Sequence, residues 1–358
     1  MPGPTLYIAI TNHGFGHATR AASVAAEVKA LRPDVDLVLA TTAPQWLLDD
    51  YVLAAYEYRP VAFDIGVLQA DSLSMDLPAT LAQLQQIQAH QAETVAAEAA
   101  YLRQRGVDLV LADIPPLATA IAHAADIPCW MMSNFGWDFI YRDFGSAFTA
   151  TADWIGACFG QCDRLFRLPF HEPMSAFPQV EDVGLTGGTP RYRAADLTAR
   201  WHLQTPRSRT VLLTFGGLGL EAIPYHHLAK FPDWQFLTFD RDAPDLANLL
   251  KLPRRGLRPV DVMPLCGRIV SKPGFSTFSE ACRLGVPIVT IPRDDFAEGP
   301  VLVRGMQNYS WHRIVSPAEF FQGEWEFLAQ PLHPPRTTDA IAQHGSEQIA
   351  QAIVDYLT

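Results

Sequence analysis

Residues 271–281 have the sequence Ser-Lys-Pro-Gly-Phe-Ser-Thr-Phe-Ser-Glu-Ala. The Pro-Gly pair ends a predicted strand at residues 268–271, and the hydroxyl-rich residues after it predict the start of a helix. Gly274 and the free N–H groups of the first helical turn are suited to binding a pyrophosphate. Glu280 has two interpretations: its carboxylate accepts hydrogen bonds from a ribose diol, or it forms a helix capping box with Thr277.

The same order of strand, turn and helix occurs along the whole chain. Short apolar runs alternate with stretches that have apolar residues at helical spacing. This alternation predicts an α/β fold with two doubly wound, Rossmann-like domains. Ligands of such domains bind at the carboxyl ends of the strands, so we expect a cleft there between the two halves. The predicted strands are residues 6–11, 36–40, 108–112, 128–133, 210–215, 234–239, 268–271 and 287–291.

Chain length and a local loss of pattern predict the domain boundaries. At about 100–200 residues per domain, a chain of 358 residues has two. The alternation weakens from residue 184 and resumes at residue 210. We therefore predict an N-terminal domain at residues 1–190, a linker at 191–209 and a C-terminal domain at 210–358. A last helix, predicted at 339–356, packs in this scheme either on its own domain or back on the N-terminal one.

Composition excludes several classes of protein. The net charge of −11 argues against a nucleic-acid partner, which requires a basic face. No apolar run is long enough for a transmembrane segment, and the N-terminus lacks the basic segment of a signal peptide. The five scattered cysteines indicate reduced thiols and a cytoplasmic location. Cys158 and Cys162 have no second pair of ligands, and no carboxylate pair has metal-ligand spacing, so no obligatory metal or other cofactor is expected.

Two glycine-rich loops follow predicted strands. Residues 12–20 read Asn-His-Gly-Phe-Gly-His-Ala-Thr-Arg, and residues 215–219 read Phe-Gly-Gly-Leu-Gly. Neither contains a complete dinucleotide fingerprint or a phosphate-binding lysine, so close approach to a phosphate and a plain tight turn both stay open. His17 is the informative residue of the first loop. A histidine titrates at about pH 6.5 in the absence of perturbation, which suits a general base, and the alternative is a hydrogen bond within the loop.

Residues 271–296 closely resemble the donor-binding segment of family 28-like glycosyltransferases, which include the enzyme that adds N-acetylglucosamine in peptidoglycan synthesis. The loop Gly-Phe-Gly-His-Ala-Thr-Arg resembles the first glycine-rich loop of those enzymes, and its histidine-then-arginine form also occurs in sugar-nucleotide hydrolases. The resemblance implies a glycosyltransferase B fold, in which the N-terminal domain at residues 1–190 is the acceptor side and the C-terminal domain at 210–358 binds the nucleotide-sugar. It also implies that residues 271–281 hold the nucleotide diphosphate and that Glu280 binds the ribose.

A second resemblance extends over nearly the whole chain. Residues 12–20, 66–76, 133–141 and 293–306 resemble the N-terminal, glycosyltransferase-like half of plant L-arabinokinases and their stand-alone bacterial relatives. The plant proteins continue into a sugar-kinase half, to which the resemblance does not extend, so we expect no sugar-kinase activity. Glu298 matches a position that contacts donor-sugar hydroxyls in related transferases. Here Glu-Gly-Pro stands where those transferases have an amide-rich pair of residues. The identity of their donor sugar is therefore not assigned to this chain.

These patterns define three groups of candidate residues. As the base, His17 is preferred, and Asp113 and Asp138, which follow predicted strands, are alternatives that could instead cap turns or helices. The acceptor side is predicted to use Gln69, Asp71, Asn134 and Trp137. The candidate donor-binding residues are Gly16, Gly216, Gly217, Gly219, Lys272, Pro273, Gly274, Ser276, Thr277, Glu280 and Glu298.

The resulting functional hypothesis is a metal-independent, inverting glycosyltransferase. It would move a sugar from a nucleotide diphosphate-sugar, expected to be a UDP-sugar, to the hydroxyl of a small-molecule, glycan or lipid acceptor. Two alternatives remain open: a sugar-nucleotide hydrolase, which uses water as the acceptor, and a binding module that turns nothing over. The sequence specifies neither the sugar, the acceptor nor the oligomeric state.

Overall fold

The computed structural model describes residues 3–68, 75–216 and 223–358. It divides into two compact units. Unit 1 comprises residues 1–186 and 342–358, and unit 2 comprises residues 187–341. Four candidate site residues lie outside the described residues: Gln69, Asp71, Gly217 and Gly219.

Unit 1 is built on a parallel sheet with the strand order β3-β2-β1-β4-β5-β6-β7. Its strands are β1 (Thr5–Ile10), β2 (Asp36–Ala40), β3 (Glu57–Arg59), β4 (Leu109–Asp113), β5 (Cys129–Ser133), β6 (Arg164–Arg167) and β7 (Val180–Asp182). The α-helices that follow these strands are α1 (Gly16–Leu31), α2 (Gln45–Asp49), α3 (Leu77–Ala89), α4 (Gln91–Arg105), α5 (Leu117–Ala125), α6 (Trp137–Asp143) and α7 (Thr149–Phe159), with a short 3-10 helix at Ser146–Phe148.

Unit 2 has a second parallel sheet, with the strand order β10-β9-β8-β11-β12-β13. Its strands are β8 (Thr210–Leu213), β9 (Gln235–Thr238), β10 (Leu249–Lys251), β11 (Arg268–Ser271), β12 (Ile288–Thr290) and β13 (His312–Ile314). The α-helices are α8 (Ala194–Arg200), α9 (Pro259–Val262), α10 (Phe275–Arg283), α11 (Glu298–Tyr309) and α12 (Pro317–Phe321), and 3-10 helices occur at Arg207–Arg209, Tyr225–Lys230, Met263–Leu265 and Glu326–Leu328.

The central strands form because their sequences are apolar apart from a polar residue at one end, as expected where helices cover both faces of a sheet. All six residues of β1 and all five of β4 are buried. The strand order reverses between β1 and β4 in unit 1 and between β8 and β11 in unit 2. Adjacent loops diverge at such a switch point, which is where open α/β sheets bind ligands. The predicted α/β fold with two doubly wound domains is confirmed.

Three local features differ from the sequence-based expectations. The single helix predicted at residues 78–105 is two helices, α3 and α4, separated at His90. The predicted linker at 191–209 contains α8 and lies within unit 2. Arg191 anchors it, since its backbone N–H and its guanidinium bond Asp261 at 2.9 and 3.0 Å. The predicted last helix begins later, as α13 (Gly345–Tyr356).

Helix α13 belongs to unit 1, where it packs on α1. The Arg32 guanidinium donates a hydrogen bond to the carbonyl of Leu357 at 2.7 Å, and the ring of Tyr356 contacts Trp130 edge to face. In the described part of the chain, no helix has both the length and the apolar character needed to span a membrane.

Candidate functional site

The switch point of unit 1 brings His17 to the end of β4. Strand β1 ends at Ile10, and the Thr11 N–H bonds the carbonyl of Asp113 at 2.8 Å. Gly14 has φ +63°, a backbone conformation that favours glycine, and it turns the chain into α1. His17 therefore lies in the first turn of α1, with its Nδ1 2.7 Å from Asp113 Oδ1. This partner lies on β4, outside the loop that carries His17.

Arg20 completes the cluster around Asp113. Its Nε and Nη2 donate to the two carboxylate oxygens at 2.5 and 2.6 Å, and its Nη1 donates to Asn134 Oδ1 at 2.8 Å. The side chains of Arg20 and Asp113 are 2% and 0% exposed. Sequence reasoning did not select Arg20. The available signal was its position three residues after His17, on the same face of a helix.

The charges of this cluster keep Asp113 ionised. Burial alone would raise its pKa, but the Arg20 guanidinium and His17 outweigh that effect and lower the pKa below its usual value. A fully buried carboxylate with two such partners is better suited to holding His17 in place than to collecting a proton from a substrate.

A second carboxyl group, Asp64, lies beside the cluster and was not selected from the sequence. Its Oδ2 accepts a hydrogen bond from the Thr11 hydroxyl at 2.5 Å. Burial raises the pKa of Asp64 to about 6, and Asp113 adds to that rise, while the Thr11 hydroxyl and the positive charge of a protonated His17 oppose it. Asp64 belongs to no motif, so nothing in the sequence distinguishes it from an ordinary loop aspartate.

Aromatic side chains surround His17. Its ring centroid lies 5.8 Å from that of Phe135 and 6.2 Å from that of Trp137. Trp137 is fully buried and stacks on Tyr141 at 5.4 Å. Two predicted acceptor-side residues are thus buried in this region: Trp137 packs near His17, and Asn134 accepts the hydrogen bond from Arg20.

Asp138, the other alternative base, is separate from this cluster. It is in the first turn of α6, and burial raises its pKa, while the N–H of Phe139 opposes the rise. In the described part of the chain, no hydrogen bond joins Asp138 to His17 or Asp113. The structure therefore brings two of the three predicted base candidates together and leaves the third apart.

The switch point of unit 2 brings Gly216 near Lys272. Gly216 follows β8 with φ +77°, and a Cβ at this position would lie 3.9 Å from Lys272 Cε. Lys272 directly follows β11 and is partly buried. Burial, and secondarily the charge of Arg293, lower the pKa of Lys272 to about 8. Unit 2 thus offers a desolvated ammonium group at the carboxyl edge of its sheet.

Glu280 does not form the capping box with Thr277. Helix α10 begins at Phe275 with Gly274 as its N-cap, so Thr277 is already inside the helix. Glu280 is 3% exposed, and its Oε1 accepts a hydrogen bond from the Gly188 N–H at 3.0 Å. A Cβ on Gly187, which has φ +140°, would lie 2.6 Å from Glu280 Cγ. The close approach of this backbone segment to Glu280 therefore requires glycine.

Helix termini position the remaining donor-side candidates. Pro273 and Gly274 precede α10, and Ser276 and Thr277 lie in its first turn, where backbone N–H groups lack intrahelical partners. Glu298 is the first residue of α11. Across residues 3–68, 75–216 and 223–358, no group of three or more His, Cys, Asp or Glu side chains is arranged to hold a metal ion.

Known proteins resemble this chain in sequence and in fold. L-arabinokinase of Arabidopsis thaliana is 30% identical over 331 residues, which are 88% of this chain and 31% of that protein. The chain thus spans about a third of its curated relative's length. UGT89C1 of Arabidopsis thaliana, complexed with UDP, has a TM-score of 0.63 at 13% identity, with 99% of each chain covered. No protein-family model matches.

Two further solved structures have the same architecture. CalG4, the calicheamicin glycosyltransferase, has a TM-score of 0.60 at 15% identity over 99% of this chain and 95% of its own. UGT2 of Phytolacca americana, complexed with UDP-2fluoro-glucose and pterostilbene, has a TM-score of 0.56 at 15% identity over 99% of this chain and 90% of its own. The chain has the glycosyltransferase B fold, and its sequence resemblance to L-arabinokinases is confirmed.

Proposed function

We propose that this chain transfers a sugar from a nucleoside diphosphate-sugar to an acceptor hydroxyl, with His17 as the general base. The observation that carries the proposal is the buried hydrogen bond between His17 Nδ1 and Asp113 Oδ1 at the switch point of unit 1. Two proteins of the same fold support a uridine donor, since one is complexed with UDP and another with UDP-2fluoro-glucose.

The proton transfer follows from the tautomer of His17. If Nδ1–H donates to Asp113, Nε2 keeps its lone pair. In the proposed reaction, Nε2 takes the proton of the acceptor hydroxyl while that oxygen attacks the anomeric carbon. The bond from the anomeric carbon to the diphosphate oxygen breaks, and its electron pair leaves with the nucleoside diphosphate. A single displacement of this kind inverts the anomeric configuration.

Unit 2 is proposed to bind the donor. The N–H groups at the start of α10 and the ammonium of Lys272 would stabilise the negative charge on the leaving diphosphate. This charge compensation is the basis for proposing a metal-independent reaction. Glu280 would share its carboxylate between the Gly188 N–H and the ribose diol, because a carboxylate can accept several hydrogen bonds.

Hydrolysis is the second candidate, because the same His17–Asp113 pair could activate water in place of an alcohol. The test is a panel of nucleoside diphosphate-sugars screened by thermal shift, followed by product analysis of each hit with and without an acceptor panel. Glycoside product that forms only when an acceptor is present supports transfer. Free sugar released at the same rate with or without acceptor supports hydrolysis, and tight binding without either product contradicts both enzymatic proposals.

A further inference from the structure

Arg20 is buried to an extent that is unusual for an arginine. Its side chain is 2% exposed, yet its guanidinium stays charged in proteins, and a buried charge is tolerated only when it is paired. The partner here is the same carboxylate that holds the proposed base. The guanidinium Nη2 lies 2.6 Å from Asp113 Oδ1 and 3.0 Å from His17 Nδ1.

We propose that Arg20 is a positioning residue for His17: its guanidinium fixes Asp113 against Nδ1 and compensates the carboxylate's charge beside the ring. This inference rests on the proposed function of His17 as the base. It adds a residue that acts on the base through Asp113.

The hydrogen-bond geometry supports the positioning. Arg20 Nη2 carries two hydrogens, and Asp113 Oδ1 at 2.6 Å and Ser133 Oγ at 3.1 Å accept them. His17 Nδ1 lies 2.7 Å from the same Oδ1, so it also donates there. The 3.0 Å separation of Nη2 and Nδ1 then results from two donors that share one acceptor. This arrangement selects the tautomer with its lone pair on Nε2.

The charges of Arg20 and Asp113 support the second part of the proposal, compensation of the carboxylate's charge beside His17. A lone carboxylate beside a histidine stabilises the protonated ring, whereas a nearby cation destabilises it. Arg20 and Asp113 sum to zero net charge next to His17. Among the described residues, other titratable groups near this ring include Asp64, which interacts electrostatically with His17, and His13 and Tyr141, which pack on the same Trp137.

The test is a pH titration of the His17 ring by ¹⁵N NMR in the full-length protein, with the resonance assigned by its loss in His17→Ala. Arg20→Met should raise the midpoint of the titration by about one pH unit or more, because Asp113 then acts on the ring without compensation. Asp113→Asn should lower the midpoint, because the Arg20 guanidinium then lies near the ring without the compensating carboxylate. The double variant removes both charges and should return the midpoint close to that of the parent.

Controls isolate the effect of Arg20. Arg142→Met removes an arginine of unit 1 that is 52% exposed, and it should leave the midpoint unchanged. Because burial raises the pKa of Asp64 to about 6 and its ionisation also affects the ring, each variant is repeated with Asp64→Asn. An unchanged midpoint in Arg20→Met would overturn the inference. If Arg20→Met does not fold, a midpoint in Asp113→Asn at or above that of the parent would overturn it. The titration requires no turnover. A parent protein without enzymatic activity would therefore contradict the proposed function, while the titration would still decide whether Arg20 acts on His17.

Discussion

The two switch points have the same topology but hold their polar groups differently. In unit 1, the side chains of Arg20 and Asp113 are almost completely buried and bonded to each other and to His17. In unit 2, Lys272 lies partly buried beside a glycine turn, near the start of a helix. The difference fits the proposed division of roles between the units. In unit 1 the proposed base is held by buried charged partners, whereas unit 2 presents an ammonium group whose charge suits an anion.

Asp113→Asn is expected to have the largest effect on stability. It leaves the Arg20 guanidinium buried without a carboxylate, which should lower the free energy of unfolding by about 3–5 kcal/mol. Urea denaturation measures this value. Asp138→Asn is the matched control, because burial raises the pKa of that carboxyl and favours its neutral form, and it should change the free energy of unfolding by less than about 1 kcal/mol. Equal losses in the two variants would contradict the comparison.

Glu280→Gln should weaken nucleotide binding with little change in stability. The amide oxygen can still accept the hydrogen bond from the Gly188 N–H, but a charged hydrogen bond to the ribose would be lost. We expect the affinity for UDP to fall by about 1–2 kcal/mol, measured by calorimetry. A loss of stability with unchanged affinity would show that Glu280 serves only to hold the Gly187–Gly188 segment.

Lys272 should make nucleotide binding depend on pH. Its pKa of about 8 means that the unliganded protein loses this charge as the pH rises from 7 to 9, so the affinity for UDP should fall by up to about tenfold. Stability should change in the opposite direction. At Lys272 the unfolded state binds more protons than the folded state between about pH 8 and the ordinary lysine pKa of 10.5, so this residue makes the folded protein more stable as the pH rises through that window.

Lys272→Met is the variant that decides whether this residue causes the pH dependence. It should bind UDP more weakly at pH 7 and show little further change at pH 9. A variant that keeps the parent's full dependence on pH would assign the effect to another group.

The sequence predicts the central strands of the sheets well and the edge strands poorly. Strands β1 and β4 are apolar apart from one terminal residue each, whereas β3 and β7 are three-residue strands that contain charged residues and are half-buried or exposed. Such short segments have no periodicity to detect. Their pairing is decided by the neighbouring strand.

The candidate site was predictable as a list of residues but not as a set of contacts. His17 and Asp113 are both visible from their motifs, yet they are 96 residues apart in the chain. Glu280 was visible, whereas its partner Gly188 lies 92 residues earlier in the chain, in a segment predicted to be the end of the N-terminal domain. Arg20 was overlooked because a helical arginine ordinarily faces solvent, and only the buried Asp113 accounts for its position.

The most direct test of the central claim is the turnover of His17→Ala with a nucleoside diphosphate-sugar that the parent uses. Turnover should fall by about 10²–10⁴-fold, while the affinity for UDP stays the same, because the donor contacts are proposed for unit 2. His123→Ala, which removes an exposed histidine from α5, should retain the parent's rate. A His17→Ala variant as active as the His123→Ala control would contradict the assignment of His17 as the base.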